Sequence, residues 1–460
     1  MQNEKITDFT EGSIPRHLVA FALPMLLGNL LQALYNTVDS IWVGRFLGAN
    51  ALAAVSVGFP VFFALIAMVN GITMATTILV SQYFGAQQHR ELHKTITNSI
   101  ILLTILGVII SIIGVVFRRP LLELINTPDE ILEMAMTYIG IIMAGLVGMF
   151  LYNVAGAILR GFGDSRNPLR FLAYATVLNI ILDPIFIFGL GPIPAMGVGG
   201  AALATIIAQG ISAVLSLRYL YVQSGLLHWQ PGSLRLDWNL TKLTFRIGLP
   251  AGIQQVLVSL SAVVVNSIVN SFGATVIAGF GAGSRLDQFA FMPSMSMGMA
   301  VSALVGQNLG AGKPERAAEA LKWGAILASG ITAIVSVIAM VRPSILMVLF
   351  TQDEAVLMEG SRYLRYVALS YIPMALMFTI GGVIRGAGDT VATMYLTLGS
   401  LWIVRVPLAR YLSSIPELGV GGVWLAMALG TCMGFIFHLL YYRTGRWKEK
   451  VVVQRPQESI

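Results

Sequence analysis

Hydrophobic and polar positions alternate on one dominant scale, long apolar runs separated by short polar breaks. A helix crosses a bilayer with about 20 mostly apolar residues. Twelve runs satisfy this: 17–43, 52–80, 95–117, 131–157, 168–190, 198–222, 242–270, 276–304, 320–341, 356–381, 391–412 and 420–442. Six lie on each side of a more polar stretch, Gln223 to Thr241, which contains Pro231, Gly232 and Trp238. The expected division is 1–222, an N-terminal six-helix lobe, 223–241, a cytoplasmic linker, and 242–460, a C-terminal six-helix lobe with a cytoplasmic tail.

The two lobes repeat one another. Arg160-Gly161-Phe162-Gly163-Asp164-Ser165 returns 225 positions later as Arg385-Gly386-Ala387-Gly388-Asp389-Thr390. Ser81-Gln82-Tyr83-Phe84-Gly85-Ala86 returns as Gly306-Gln307-Asn308-Leu309-Gly310-Ala311, and Leu23-Pro24 as Leu249-Pro250. Ile193-Pro194-Ala195-Met196-Gly197-Val198-Gly199-Gly200 is echoed by Ile415-Pro416-Glu417-Leu418-Gly419-Val420-Gly421-Gly422. An even number of spans per repeat starts and ends each copy on the same side, so the repeats are parallel. The expected fold is all-α, an integral membrane protein of twelve transmembrane helices in two pseudo-symmetric six-helix lobes around a central cavity.

Composition sharpens this. Hydrophobic residues make up 56% and charged residues 11%, where soluble domains carry about 25% charged. The net charge of +7 is dispersed over short loops and implies no nucleic-acid partner. Arg90, Arg166, Arg218, Lys242, Lys313 and Arg443 fall on one side, which the positive-inside rule makes cytoplasmic. Both termini are expected there, in a multi-pass protein of the cell's inner (cytoplasmic) membrane, with anionic lipid headgroups as neighbours. Residues 1–17 are polar and the first apolar run is too long for a signal core, so it should remain as a span. The single cysteine, Cys432, rules out an intrachain disulfide.

Ionisable groups inside spans are expensive, by roughly 2.5–3.5 kcal/mol on insertion scales, so each survivor is a candidate. Asp39 closes a stripe with Gln32, Tyr35 and Asn36 at helical spacing on the first span. Such a stripe faces protein or water rather than lipid. Asp183 lies on the fifth span with Asn179 at i−4 and Pro184 behind it. Asp39 therefore reads as a protonatable carboxylate lining a central cavity, with Asn179 and Asp183 completing a hydrogen-bonded cluster beside it, set against the bland alternative of internal structural bonding. The equivalent second-half positions offer Val264 or Val265 and Arg405-Val406-Pro407, so this chemistry is lopsided. Gln255 and Ser259 on the seventh span, and Asp287 and Met292 on the eighth, extend the candidate substrate cavity. Asp287 and Arg285 each suggest a partner on a neighbouring span, with Arg405 a candidate for Asp287. Methionine is polarizable and adaptable, which suits a site accepting many shapes, although plain packing explains any single one. Pro24 is a candidate hinge on the span that carries Asp39.

Enzyme signatures fail. Gly306 to Lys313 is mis-spaced for a phosphate loop and ends in Pro314. His89-Arg90-Glu91-Leu92-His93 misplaces the glutamate of a zinc helix. No cofactor, metal site or enzymatic activity is expected, and with no ATP site an ion gradient must supply the energy.

Taken together, the paired Arg-Gly-x-Gly-Asp loops, the string Pro24…Tyr35-Asn36-Thr37-Val38-Asp39-Ser40-Ile41 and the pair Asn179/Asp183 resemble the multidrug and toxic compound extrusion (MATE) family, in particular its DinF-like branch. The resemblance implies export of cationic and amphipathic drugs in exchange for H⁺ or Na⁺, with Asp39 as the protonation site and Asn179 and Asp183 beside it. The Na⁺-coupled branch carries a seventh-span glutamate, where this chain has Gln254-Gln255-Val256. That favours an H⁺-coupled antiporter working by alternating access. Na⁺-coupled efflux and a lipid-linked precursor flippase are the alternatives. One chain with two lobes suffices, so a monomer is expected.

Overall fold

The structure, a computed structural model, describes residues 8–223 and 235–453. Most of the expected linker, 224–234, lies outside the described residues. Among those described there are helices and no strands.

The first half runs α1 (Ile14–Phe46), α2 (Ala49–Val57), α3 (Phe59–Gly85), α4 (His89–Val116), α5 (Arg118–Leu124), α6 (Asp129–Ala144), α7 (Leu146–Gly161), α8 (Arg166–Phe188) and α9 (Val198–Arg218). The second runs α10 (Trp238–Asn270), α11 (Ala274–Gly310), α12 (Pro314–Val341), α13 (Pro343–Met347), α14 (Glu354–Ala368), α15 (Tyr371–Gly386), α16 (Thr390–Leu398), α17 (Val406–Ser413) and α18 (Val420–Arg443). Ten helices are long and apolar enough to span, and two bent pairs, α6–α7 and α14–α15, raise the number to twelve among the described residues. Both pairs bend by 47°, at Gly145 in the first half and near Ser370 in the second. The fourth and tenth expected spans are therefore broken in the same way.

Two other spans depart from straight rods. The second is split at Gly58 into α2 and α3, while its counterpart α11 is unbroken. The eleventh passes through a π-helical stretch, Gly399–Arg405, between α16 and α17. Pro407 sits in the first turn of α17. A proline removes an N–H and crowds the preceding turn, and the wider π turn absorbs that misfit.

The repeated loop motif is a corner between helices. Gly163 and Gly388 adopt φ 81° and 98°, the left-handed region that glycine enters without a Cβ penalty. Asp164 and Asp389 donate their backbone N–H to Leu159 and Ile384 carbonyls, at 2.9 and 3.1 Å. Their carboxylates then cap the next helix: Asp164 Oδ1 accepts from Asn167 N at 3.0 Å, Asp389 Oδ1 from Ala392 N at 3.1 Å. Arg-Gly-x-Gly-Asp thus closes one helix and opens the next with no ligand required.

The chain divides into two compact units that do not coincide with its two halves. Unit 1 holds the described parts of Pro24–Val80 and Gln88–Gly248; unit 2 holds Asp8–Leu23, Ser81–Gln87 and the described part of Leu249–Ile460. Within unit 2, α11 and α15 cross so closely that a Cβ on Gly382 would lie 2.3 Å from the Gly298 carbonyl oxygen. Such small-residue crossings let helix backbones pack where lipid supplies no hydrophobic drive between them. The unit's aromatic core stacks Phe280 on Trp424 with Tyr363 edge-on to both.

Placing a Cβ on Gly388 forces the left-handed conformation on an L-residue, at roughly 1–2 kcal/mol, and brings it 3.2 Å from the Lys450 carbonyl oxygen. Gly388→Ala should lower the detergent melting temperature by a few degrees, measured by tryptophan fluorescence, whereas Ala387→Gly should move it less.

Candidate functional site

Unit 1 gathers its ionisable groups around the outer half of α1. Asp39 is half-buried, and its Oδ1 is sealed from solvent without a hydrogen-bond partner. Four residues earlier, one turn away on the same face, Tyr35 is 6% exposed. Its hydroxyl is directed at Thr205 of α9 but makes no hydrogen bond of good geometry. From α8, Asp183 and Asn179 are fully buried. Asn179 Nδ2 donates to Asp183 Oδ1 at 3.1 Å, which leaves Asp183 Oδ2 and Asn179 Oδ1 unpartnered. Tyr138 of α6, also buried, lies within electrostatic range of Asp39, Asp183 and Tyr35. Asn179 and Asp183 thus form a buried bonded pair, and Asp39 lies within electrostatic range of Asp183.

Among the described residues no cationic side chain pairs with either acid. Among the described residues the ion pairs within 4.0 Å are Lys94–Glu91 and Arg119–Glu123, both at the helix ends. The cluster thus holds two carboxylates with surplus acceptor capacity and no resident counter-charge. Burying an uncompensated carboxylate costs several kcal/mol, so the site suits a mobile positive charge: a proton, an alkali ion or an organic cation. Among the described residues no group of three or more His, Cys, Asp or Glu could hold a metal ion.

The stripe on α1 resolves into two faces. Tyr35 and Asp39 turn into unit 1, while Gln32 and Asn36 are exposed and bond to each other at 3.3 Å. Gln255 is likewise exposed, and Ser259 and Met292 are half-buried. Pro24 lies inside α1, which continues as one helix through it. Tyr138 and Thr205 escaped the sequence reading, because neither carries a charge to single it out; Thr205, with Gln209 at i+4 and Ser212 at i+7, did offer a polar stripe that could have found it.

Unit 2 treats its buried acid differently. Asp287 of α11 accepts hydrogen bonds from the hydroxyls of Tyr363 and Tyr371, one to each carboxylate oxygen. Neither expected ion pair is present among the described residues. Arg285 is exposed, and Arg405, though within electrostatic reach of Asp287, donates instead to Thr431 Oγ1 at 3.0 Å. The hydroxyls of Tyr363 in α14 and of Tyr371, the first residue after the bend, occupy the two carboxylate oxygens, while the guanidinium at the end of the π-helical stretch is turned to Thr431.

Long apolar helices in two repeated sets, able to cross a membrane, are the build of a membrane transporter. The MatE family model matches residues 24–185 and again 250–410, once in each half, and the chain belongs to that family. It is 33% identical over 446 residues to the probable multidrug resistance protein YpnP of Bacillus subtilis, covering 96% of this chain and 98% of that one. Among solved structures it resembles a MATE protein in the bent conformation (TM-score 0.89, 26% identity, 98% and 100% coverage). It equally resembles one in the straight conformation (TM-score 0.88, 26% identity, 98% and 99% coverage).

The tyrosine clamp on Asp287 makes a stability prediction. Removing one phenol leaves a buried carboxylate oxygen without a donor, a loss of about 1–3 kcal/mol. Tyr363→Phe and Tyr371→Phe should each lower the melting temperature. Adding either to Asp287→Leu should cost much less than it does alone, as read from a double-mutant cycle.

Proposed function

We propose that the protein is an H⁺-coupled antiporter that exports organic cations and amphipathic compounds from the cytoplasm by alternating access. The observation that carries this reading is the Asp39–Asp183 pair in unit 1, half-buried and buried in turn, with no cationic side chain paired to either among the described residues. Membership in the MatE family and likeness to a probable multidrug resistance protein support the substrate class.

In this reading Asp39 is the exchange group. Ionised, it attracts a cationic substrate; protonated from the outside, it loses that attraction and the substrate leaves. Asp183, held by Asn179, keeps a second negative charge nearby, so the arriving proton has a reason to stay. Gln32, Tyr35, Asn36, Gln255, Ser259, Asp287 and Met292 are proposed to line the path of the substrate. The exposed amides supply hydrogen bonds, and the methionine supplies adaptable apolar contact. Pro24 is the proposed hinge. It deprives the Ala20 carbonyl of its helical donor, and the likeness to both bent and straight MATE structures supports motion of this kind. The protein is proposed to act as a monomer in the inner (cytoplasmic) membrane, with both termini cytoplasmic.

One proton exchanged for one monovalent cation moves no net charge. The membrane voltage, worth about 2.3 kcal/mol per charge per 100 mV, then contributes nothing and the pH gradient alone drives export.

In proteoliposomes, Asp39→Asn should abolish efflux of a fluorescent monovalent cation driven by acid on the outer side, while insertion and melting temperature are retained. Efflux that persists in this variant removes Asp39 from the mechanism. At fixed pH, replacing Na⁺ by choline should leave the native rate unchanged. A collapse of transport on that exchange would transfer the coupling to Na⁺.

A further inference from the structure

The unit boundary cuts α1 between Leu23 and Pro24 and cuts α10 between Gly248 and Leu249, one residue before Pro250. These are repeat-related sites. The two helices α1 and α10 therefore each begin in one unit and continue in the other, whereas α8 with Pro184 and α11 with Pro293 each stay within one unit. The base of α1, Asp8–Leu23, belongs to unit 2; the base of α10, up to Gly248, belongs to unit 1.

Each base is bolted down by a buried amide side chain on the unit that holds it. Ahead of α1, the Phe9 backbone N–H donates to Gln307 Oε1 at 3.0 Å. The Phe9 carbonyl accepts from Asn308 Nδ2 at 3.1 Å and from Arg316 Nη2 at 3.2 Å. Lys313 Nζ donates to the Thr10 carbonyl at 3.0 Å, and Arg316 Nη2 to that of Gly12 at 3.0 Å. Arg316 Nε is itself set by Asn308 Oδ1 at 3.2 Å. Gln307 and Asn308 are fully buried, and the Phe9 side chain is 1% exposed against Phe21. Ahead of α10, the Asp237 N–H donates to Asn98 Oδ1 at 2.8 Å, and Asn98 Nδ2 reaches Thr241 Oγ1 at 3.2 Å.

Six of these eight bonds read backbone, and the other two join side chains that steady the set. A set of donors and acceptors aimed at one non-helical peptide segment fixes position; it recognises no cargo. Because α1 is continuous, its clamped base and Asp39 lie on a single rod interrupted only at Pro24. A hinge transmits force only when one arm is held.

We propose that Gln307, Asn308 and Arg316 are positioning residues for transport: they hold the base of α1 fixed in unit 2, so that a change at Asp39 in unit 1 becomes a movement of one unit against the other. Asn98 does the same for α10 on unit 1. The first half of this statement rests on the coupling role given above to Asp39; the anchoring of α1 does not.

The test separates binding from movement. Chains lacking residues 2–7 or 2–12, the Arg316→Gln variant and Asp39→Asn are compared with the native chain. Three readouts are taken: affinity for ethidium in detergent, its release on acidification, and its efflux from proteoliposomes under whichever ion gradient drives the native chain. Loss of residues 2–7 spares every bond named here and should leave all three intact. Loss of 2–12 should leave affinity within about two-fold and acid-triggered release intact, yet cut efflux at least ten-fold. Arg316→Gln removes only its share of the clamp and should show the same split more weakly, which keeps the test open if the truncation does not fold. Asp39→Asn should fail instead at acid-triggered release, so failure of the coupling role is read separately. The proposal falls if efflux after loss of 2–12, or in Arg316→Gln should that truncation not fold, equals that of the 2–7 truncation. It falls equally if affinity drops in step with efflux, since the segment would then belong to the binding site.

Discussion

A charge taken into the bilayer interior must find its compensation there, because water cannot supply it. This constraint orders the whole molecule. The described ion pairs sit at helix ends, and the interior carries only acids and arginines whose needs are met, or left unmet, by neutral groups. The cluster around Asp39 and Asp183 is where the need is left unmet. One amide donates to one of the four carboxylate oxygens, and Asp39 Oδ1, Asp183 Oδ2 and the Tyr35 hydroxyl are sealed without partners. Such an arrangement adds nothing to the stability of the fold, and it is the feature on which the proposed exchange of positive charge rests.

The fold was legible in the sequence to the extent that lipid dictates it. The twelve runs matched the spans because each helix must satisfy its own backbone across the apolar layer, and the repeat could be read because identical corners need identical glycines and capping acids. Legibility ended where neutral protein groups substitute for charge. Asp287 suggested a cationic partner, and its actual partners are two phenols on the bent span, Tyr363 and Tyr371. The polar stripe on α1 was visible, but helical spacing cannot divide a stripe that broad into an inward ridge, Tyr35 and Asp39, and an exposed one, Gln32 and Asn36. The π-helical stretch before Pro407 left no periodic trace, since a single widened turn shifts the pattern by one residue.

The division into units was also beyond the sequence. Apolar runs suggest that each half packs with itself, yet the bases of α1 and α10 are exchanged. Hydrogen bonds 298 and 139 residues apart in the chain fix these bases, and such separations carry no local signal. An exchange of this sort ties the proline positions to the unit boundaries. A proline within a single packed unit would be a static kink. At a boundary, the carbonyl it leaves free and the turn it loosens lie where two bodies share one helix.

The two halves have diverged around one plan. Both keep the 47° bend in the fourth span of the repeat, the capped corner that follows it and the proline helix with its exchanged base. Only the treatment of buried acids differs. Unit 2 gives both oxygens of Asp287 a phenolic donor and packs those phenols into its aromatic core, so that acid is bound into the architecture. Unit 1 keeps Tyr35 and Tyr138 near its acids without committing either hydroxyl to them in a hydrogen bond. A phenol that donates pins the carboxylate in place and lessens its need for any other cation, whereas a phenol that merely adjoins leaves the acid available. The same residue types thus make a rivet in one unit and leave the acids unclamped in the other, and the difference lies in whether the hydroxyl reaches the carboxylate.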